Sequence, residues 1–187
     1  MAAQQRPPVF ELHIRPMFRL LEREHMTTLA TPGIDLWDLD AVWAKRNLIL
    51  EHLRAEGLQN MPGVPVGGPW PAEWITLFER WAATGSDAEP GHHLVLAKPD
   101  GPYQVRTFRN WWQLTATVTA PTGGCRVWFG LDSVSSGQRD YTLHLEPAFP
   151  SQPANPTPVE ANEFFAKGDA TKVVIRDADG THEVAIP

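Results

Sequence analysis

The stretch at residues 112–119, Trp-Gln-Leu-Thr-Ala-Thr-Val-Thr, decides the fold of the second half of the chain. Apolar side chains occupy every second position and polar side chains fill the positions between them. Because successive side chains of a strand point to opposite faces of a sheet, this alternation predicts a strand with one buried face. Shorter runs with strand character flank it at residues 93–97, 102–108, 125–131, 141–146, 172–176 and 182–186.

Turn residues separate these runs. Residues 98–101 (Lys-Pro-Asp-Gly) and 177–180 (Asp-Ala-Asp-Gly) are typical of hairpin turns, since proline presets one turn dihedral and glycine accepts a positive φ. A proline-rich connection follows residue 146, and proline cannot join the ladder of a central strand. About seven short strands with regular turns predict an antiparallel β-sandwich over residues 92–187.

Residues 8–86 carry helical signals instead. The clearest helix starts after the N-cap Asp38, and its apolar residues recur at three- and four-residue steps before Gly57. A first helix is predicted from Pro16, with an apolar stripe formed by Met17, Phe18, Leu20, Leu21 and Met26, and a third from Pro71 to Gly85. Small, polar, proline and glycine residues cluster at 84–91 and predict a domain boundary. The expected fold class is α+β, a small three-helix domain ahead of a sandwich.

Composition excludes several classes of protein. The chain has 187 residues, a formal net charge of −6 and one cysteine. An internal disulfide is therefore impossible, and the acidic balance argues against a nucleic-acid footprint. No apolar stretch approaches the roughly 20 residues that span a bilayer, and the N-terminal residues have no apolar signal-peptide core. We therefore expect a cytoplasmic protein that binds neither nucleic acid nor membrane.

Three short motifs in residues 14–85 resemble those of the c-type cytochrome-like domains of bacterial proteins. Residues 14–18 (Ile-Arg-Pro-Met-Phe) match the first helix of that family, Met61-Pro62 matches its ligand loop, and residues 77–81 (Leu-Phe-Glu-Arg-Trp) with Gly85 match its last helix. The haem attachment motif Cys-x-x-Cys-His does not match, because residues 22–26 are Glu-Arg-Glu-His-Met. The resemblance implies a haem-less cytochrome-like domain over residues 8–86. It further implies an accessory or maturation partner of a bacterial oxidoreductase, a copper or quinone enzyme.

Two cofactor hypotheses compete with this interpretation. His25 and Met61 could ligate a non-covalent haem, since histidine and methionine are axial ligands of electron carriers, although a capping histidine and a core methionine are the simpler account. His92 and His93 could bind a transition metal, but adjacent strand residues point to opposite faces. We expect no bound cofactor and keep a metal- or haem-binding protein as the alternative.

Catalytic motifs do not occur in the sequence. It contains no nucleophile elbow, phosphate loop, dinucleotide fingerprint or His-Glu-x-x-His motif. Cys125 follows a turn at the start of a predicted strand, where a small buried residue is expected rather than a nucleophile. A non-catalytic role is therefore predicted.

Tryptophan is abundant, with eight residues in the chain. Trp111 and Trp112 are adjacent in a predicted strand, so one indole should be buried and the other exposed. An exposed Trp111, with Tyr103 or Trp128, predicts a protein-contact hot spot, while packing at a domain junction explains Trp111 equally well. The same three residues could form a sugar-stacking platform, which makes a carbohydrate-binding module the third hypothesis.

Overall fold

The computed structural model describes residues 6–29, 33–55, 69–149, 153–168 and 170–187. The chain divides into two compact units, Met1–His93 and Leu94–Pro187. Helices occupy the first unit and strands the second, so the fold class is α+β, as the sequence predicts. The sequence boundaries of 8–86 and 92–187 differ from this division by a few residues at the junction.

The described residues of the first unit contain three α-helices: α1 (Leu20–Leu29), α2 (Leu39–Arg54) and α3 (Ala72–Ala82). A π-helical turn, Phe10–Ile14, and a 3-10 turn, Arg15–Met17, precede them. Asp38 caps α2 as predicted, because its carboxylate accepts a hydrogen bond of 2.8 Å from the amide of Ala41. The Gly57 stop predicted for this helix lies outside the described residues.

The first helix differs from its prediction. It begins at Leu20 and not at Pro16, which lies in the 3-10 turn. Glu22 explains the start, since its buried carboxylate accepts a hydrogen bond of 2.8 Å from the amide of Arg19 and caps the helix there. The predicted apolar stripe is wrong at Leu20 and Leu21, which are more than half exposed.

Aromatic rings fill the core of the helical unit. Trp81 is fully buried, and its ring centroid lies 5.3 Å from those of Phe10, Trp43 and Phe78. Its indole N–H donates a hydrogen bond of 3.1 Å to the carbonyl of His92. Tilted and edge-to-face aromatic pairs contribute about 0.5–1.5 kcal/mol each beyond the area they bury, so this cluster is a main source of the unit's stability.

The second unit, in the part that the structure describes, contains eight strands in two sheets. They are β1 (Val95–Leu96), β2 (Gln104–Phe108), β3 (Trp111–Ala120), β4 (Arg126–Ser135), β5 (Gln138–Glu146), β6 (Thr157–Ala166), β7 (Lys172–Asp177) and β8 (Gly180–Ala185). The smaller sheet has the order β2-β3-β6. In the larger sheet, β4 pairs along one edge of β5, whereas β7 and the short β1 pair with different parts of the other edge, and β8 follows β7.

The two sheets enclose one apolar core, as in a β-sandwich. The inward residues of β3, among them Leu114 and Val118, are buried together with Phe129 of β4 and Leu143 of β5. The alternation at residues 112–119 therefore predicts the inner face of β3 correctly. Full burial of each such side chain contributes about 1.5–3 kcal/mol.

Three features of the sheets depart from the prediction. β5 and β7 pair in parallel, so the larger sheet is mixed and not purely antiparallel. Residues 98–101 do not close a hairpin, because β1 pairs with β5 while β2 pairs with β3. The sequence predicts no strand at β6, which is ten residues long. This strand tolerates Pro158 because it lies at the edge of the smaller sheet.

The predicted hairpin turn at residues 177–180 is confirmed. Asp177 and Gly180 face each other in the register that joins β7 to β8. The Asp177 carboxylate is buried and accepts hydrogen bonds from the amides of Asp179 (2.7 Å) and Gly180 (3.1 Å). This buried acceptor fixes the turn.

Candidate functional site

Three large aromatic side chains lie exposed at one end of the smaller sheet. Phe108, Trp111 and Phe164 are 46%, 48% and 44% exposed, respectively. Phe108 faces Trp111 across the β2–β3 turn, and Phe164 faces Gln113 across β3 and β6. Residues that face each other in an antiparallel pair share a side of the sheet, so the three rings lie on its outer side. We call this set the aromatic face.

The period of β3 explains why the rings point outward. Leu114 and Val118 point into the core, so the residues at odd positions, starting with Trp111, point away from it. In β6 the same rule buries Phe165 and exposes Phe164. An adjacent pair of aromatic residues thus gives each strand one ring that points inward and one exposed ring; Phe165 is buried and Trp112 is partly buried.

A hydrogen-bonded row of polar side chains crosses the sheet beside these rings. Arg106 Nε donates to Gln113 Oε1 (2.9 Å), and Gln113 Nε2 donates to Asn162 Oδ1 (2.6 Å). Asn162 Nδ2 in turn donates to Glu160 Oε1 (2.8 Å). The row spans all three strands and holds its planar groups in fixed orientations.

The aromatic face covers part of this row. Phe108 and Phe164 belong to the two strands that flank β3, yet their ring centroids are 5.3 Å apart in an edge-to-face contact. The rings therefore meet above β3, where Gln113 is only 7% exposed despite its outward position. The aromatic face has a rigid support, which keeps its exposed rings in one arrangement.

Cationic groups lie at the same end of the smaller sheet. Arg106 and Arg109 lie beside the aromatic face, whereas Lys167 contacts Trp112 and Thr107, which face each other on the inner side. The Arg109 guanidinium lies 5.8 Å from the Phe108 ring centroid, and the Lys167 ammonium lies 4.6 Å from that of Trp112. Lys167 also donates a hydrogen bond of 3.4 Å to Thr107. Within the part of the chain that the structure describes, Arg106, Arg109 and Lys167 form no ion pair with a carboxylate.

Tyr103 lies elsewhere and has a structural contact. Its hydroxyl donates a hydrogen bond to the buried carboxylate of Asp177, and its ring packs 5.7 Å from His182 and 6.1 Å from Phe129. Burial, together with the neighbouring carboxylate, raises the pKa of Tyr103 well above its ordinary value. His182 also lies 3.2 Å from Asp177, so Tyr103 helps to hold the β7–β8 turn.

Trp128 lies on the outer side of the larger sheet. It faces His144 in the register of β4 and β5, with the two ring centroids 5.9 Å apart. The His144 imidazole lies close over Gly130, where an added Cβ would be 2.9 Å from the ring, and burial lowers the pKa of His144. Because Trp111, Tyr103 and Trp128 occupy three different places, they do not form the single platform that a sugar site would need.

His92 and His93 take part in the packing of the helical unit. The amide of His92 donates to the Thr84 hydroxyl (2.7 Å), and its carbonyl accepts from the amide of Phe10 (3.0 Å). His93 Nδ1 lies 2.9 Å from the Gly91 carbonyl. Across the described residues, no cluster of three or more histidine, cysteine, aspartate or glutamate side chains has the arrangement to hold a metal ion.

Of the two residues predicted as alternative haem ligands, His25 lies on α1 and is exposed to solvent, whereas Met61 lies outside the described residues. Cys125, the one cysteine of the sequence, is buried, and its Sγ lies 3.4 Å from the Thr122 hydroxyl. These positions bring no nucleophile and base together.

The sequence pattern indicates Trp111 but not its neighbours Phe108 and Phe164, nor the cations beside them. The doubled aromatics at 111–112 and 164–165 are the signal that could have identified both strands of the face. Pairing of β3 with β6, at a sequence separation of about fifty residues, could not be inferred from either segment alone.

Comparison with protein-family models, curated proteins and solved structures finds no match. Among the residues described, none of the helices combines the length and the apolar character that crossing a bilayer requires.

Proposed function

We propose that this chain is a non-catalytic accessory protein that binds another protein through the aromatic face. The observation that carries the proposal is the exposure of nearly half of each of three large aromatic side chains at one end of one sheet. Isolated apolar residues on a surface are common, but adjacent exposed aromatics on a rigid support are typical of an interaction site.

Interface energetics favour this assignment. Tryptophan and arginine are enriched among the residues that contribute most to protein–protein binding, and hot spots form where a ring is fully desolvated by the partner. Trp111 lies between Phe108 on β2 and the residues of β6, so a partner can surround its indole. The hydrogen-bonded row beneath the rings lowers the conformational entropy that binding would cost.

An oxidoreductase is the partner class that we propose to test first. The support is the resemblance of residues 14–85 to cytochrome-like domains, which implies a role beside redox enzymes. This is an association by sequence motif and is independent of the aromatic face. The two parts of the proposal can therefore fail separately.

Site-specific photocrosslinking in the native host tests the proposal. A photoreactive phenylalanine analogue at position 111 should crosslink one defined protein, because that position lies inside the proposed interface. The same analogue at Leu131, an exposed apolar residue of β4 in the larger sheet, is the control and should not capture that protein. Equal capture from both positions, or none from position 111, would contradict the proposal.

A further inference from the structure

We infer that the partner segment bound by the aromatic face is an acidic peptide segment that also carries apolar side chains. This inference rests on the proposed function, because it names the chemistry of the partner at the same surface. It follows from the charge distribution around the rings and from the way their cations are held.

The rim of the aromatic face is positively charged in a protein that is acidic overall. The formal net charge of the chain is −6, yet Arg106 and Arg109 both lie beside the rings at this end of the smaller sheet. Arg106 is on β2 and faces Gln113 on the outer side, and Arg109 is in the β2–β3 turn. Lys167 contacts the inner-side Trp112 and Thr107 and is not part of this rim.

Aromatic rings and neutral polar groups, rather than carboxylates, hold these cations. Arg109 contacts Phe108, and Arg106 donates to the amide oxygen of Gln113. A cation over a ring face or bonded to an amide oxygen keeps its full charge. Within the described residues the rim therefore offers two charges that form no ion pair with an acid of this chain.

The nearest described carboxylates of β6 do not cancel this charge. Glu160 lies at the opposite end of the hydrogen-bonded row from Arg106, where it accepts a hydrogen bond from Asn162. Glu163 faces Leu114 in register and points to the inner side of the sheet, away from the rings. The aromatic end of the outer side is therefore cationic, which complements an acidic surface.

The backbone at Arg109 supports the same inference. Its φ is +52°, in the left-handed region where glycine or asparagine is favoured. An arginine at the tip of a two-residue turn is less favourable for the fold than a glycine, and strained positions of this kind cluster at binding sites. The Arg109 guanidinium lies 5.8 Å from the Phe108 ring centroid, beside the aromatic face.

Selection from a random peptide library tests the composition of the partner segment without knowledge of the partner. The folded full chain is immobilised, and peptides that bind equally well to a Trp111→Ala chain are removed. Peptides that depend on Trp111 should be rich in aspartate and glutamate beside leucine or aromatic residues. Neutral or basic peptides that depend on Trp111 would overturn this inference and leave the proposed function standing. A selection that returns no Trp111-dependent peptide would contradict both.

Charge-removing variants then test the rim with one selected acidic peptide. The Arg106→Gln/Arg109→Gln chain should bind it about tenfold more weakly, and affinity should fall further between about 50 and 500 mM salt. The matched control is Lys45→Gln/Arg80→Gln, which removes two exposed charges from α2 and α3 of the helical unit and should change the affinity less than about twofold. Equal loss in both double variants would show only a general charge effect and would overturn the inference.

Two further measurements exclude other occupants of the same surface. Vesicles of phosphatidylcholine with about 30% phosphatidylserine should not sediment the chain, and the chain should remain monomeric in analytical ultracentrifugation. Trp111-dependent binding to the vesicles would assign the rim to a lipid surface instead. Trp111-dependent dimers would assign it to a second copy. Either result would overturn the peptide assignment.

Discussion

The two aromatic clusters of this protein use the same residue types in opposite ways. In the helical unit, Trp81 and Phe78 are fully buried and pack edge-to-face with their neighbours. In the strand unit, Phe108, Trp111 and Phe164 stay nearly half exposed. The first cluster is positioned by helix periodicity and the second by strand alternation. The number of aromatic residues alone therefore does not indicate their role. The exposed fraction of each ring distinguishes rings that stabilise the fold from rings that are available to bind a partner.

The largest expected effect comes from truncating one ring in each cluster. Trp81→Ala should lower the free energy of unfolding of the helical unit by about 3–5 kcal/mol, because it leaves a cavity among three rings. Trp111→Ala should cost less than about 1 kcal/mol in the strand unit. Peptide-resolved hydrogen exchange measures both units separately. A loss of several kcal/mol for Trp111→Ala would make the aromatic face part of the fold.

The second effect tests where the stability of the strand unit lies. Asp177→Ala should cost about 2–4 kcal/mol, since it leaves the Tyr103 hydroxyl and two turn amides without their buried acceptor. Asp179→Ala, in the same turn, removes only an exposed ion pair with Lys98 and should cost less than about 1 kcal/mol. Urea unfolding of both variants gives the difference, and equal costs would mean that the buried carboxylate has no special role.

The third prediction separates stability from binding at a single position. Arg109→Gly should stabilise the strand unit by up to about 1 kcal/mol, because glycine adopts φ of +52° without the steric cost of a side chain. The same change should weaken binding of an acidic peptide, since a rim cation is lost. Thermal unfolding and peptide titration of one variant test both signs. A variant that is less stable, or that binds unchanged, contradicts the role assigned to Arg109.

The smallest effect concerns pH in the helical unit. Arg23 donates two hydrogen bonds to Asp35, and these bonds lower the pKa of Asp35 to about 2. A carboxyl whose pKa is lower in the folded state contributes stability above its ordinary pKa of about 4 and loses it as the pH falls towards 2. Because the pair is partly exposed, Asp35→Asn should cost only about 1 kcal/mol at pH 7.

The pH profile of that variant provides the check. Urea midpoints of the wild type should decline more steeply than those of Asp35→Asn between about pH 4 and 2, because only the wild type takes up a proton at this position. Parallel profiles would mean that Asp35 contributes nothing that depends on its charge.

Local patterns predicted much of the fold. The cap at Asp38, the alternation of residues 112–119 and the turn at Asp177 all depend on neighbours in sequence, and the structure contains each of them. What failed depended on distant partners: the parallel pairing of β5 with β7 and the missing hairpin at residues 98–101. Sequence pattern sets which face of a strand is apolar, but it does not state which strands pair.

The candidate site shows the same limit. Alternation indicated that Trp111 or Trp112 must be exposed, and the structure exposes Trp111. Phe164 joins it only because β6 pairs with β3, and Pro158 by itself argues against a central strand there. Tyr103 could not be separated from the site by sequence, because its buried partner Asp177 is more than seventy residues away. Whether a tyrosine side chain is exposed depends on whether its hydroxyl has a buried hydrogen-bond partner of this kind.

The most direct test is hydroxyl-radical footprinting of the full chain, with and without a saturating amount of a peptide selected for Trp111-dependent binding. The central claim predicts that Phe108, Trp111 and Phe164 lose reactivity on binding, while the equally exposed Leu131 and the exposed Trp74 of α3 stay unchanged. Protection at other residues with full reactivity at Phe108, Trp111 and Phe164 would contradict it.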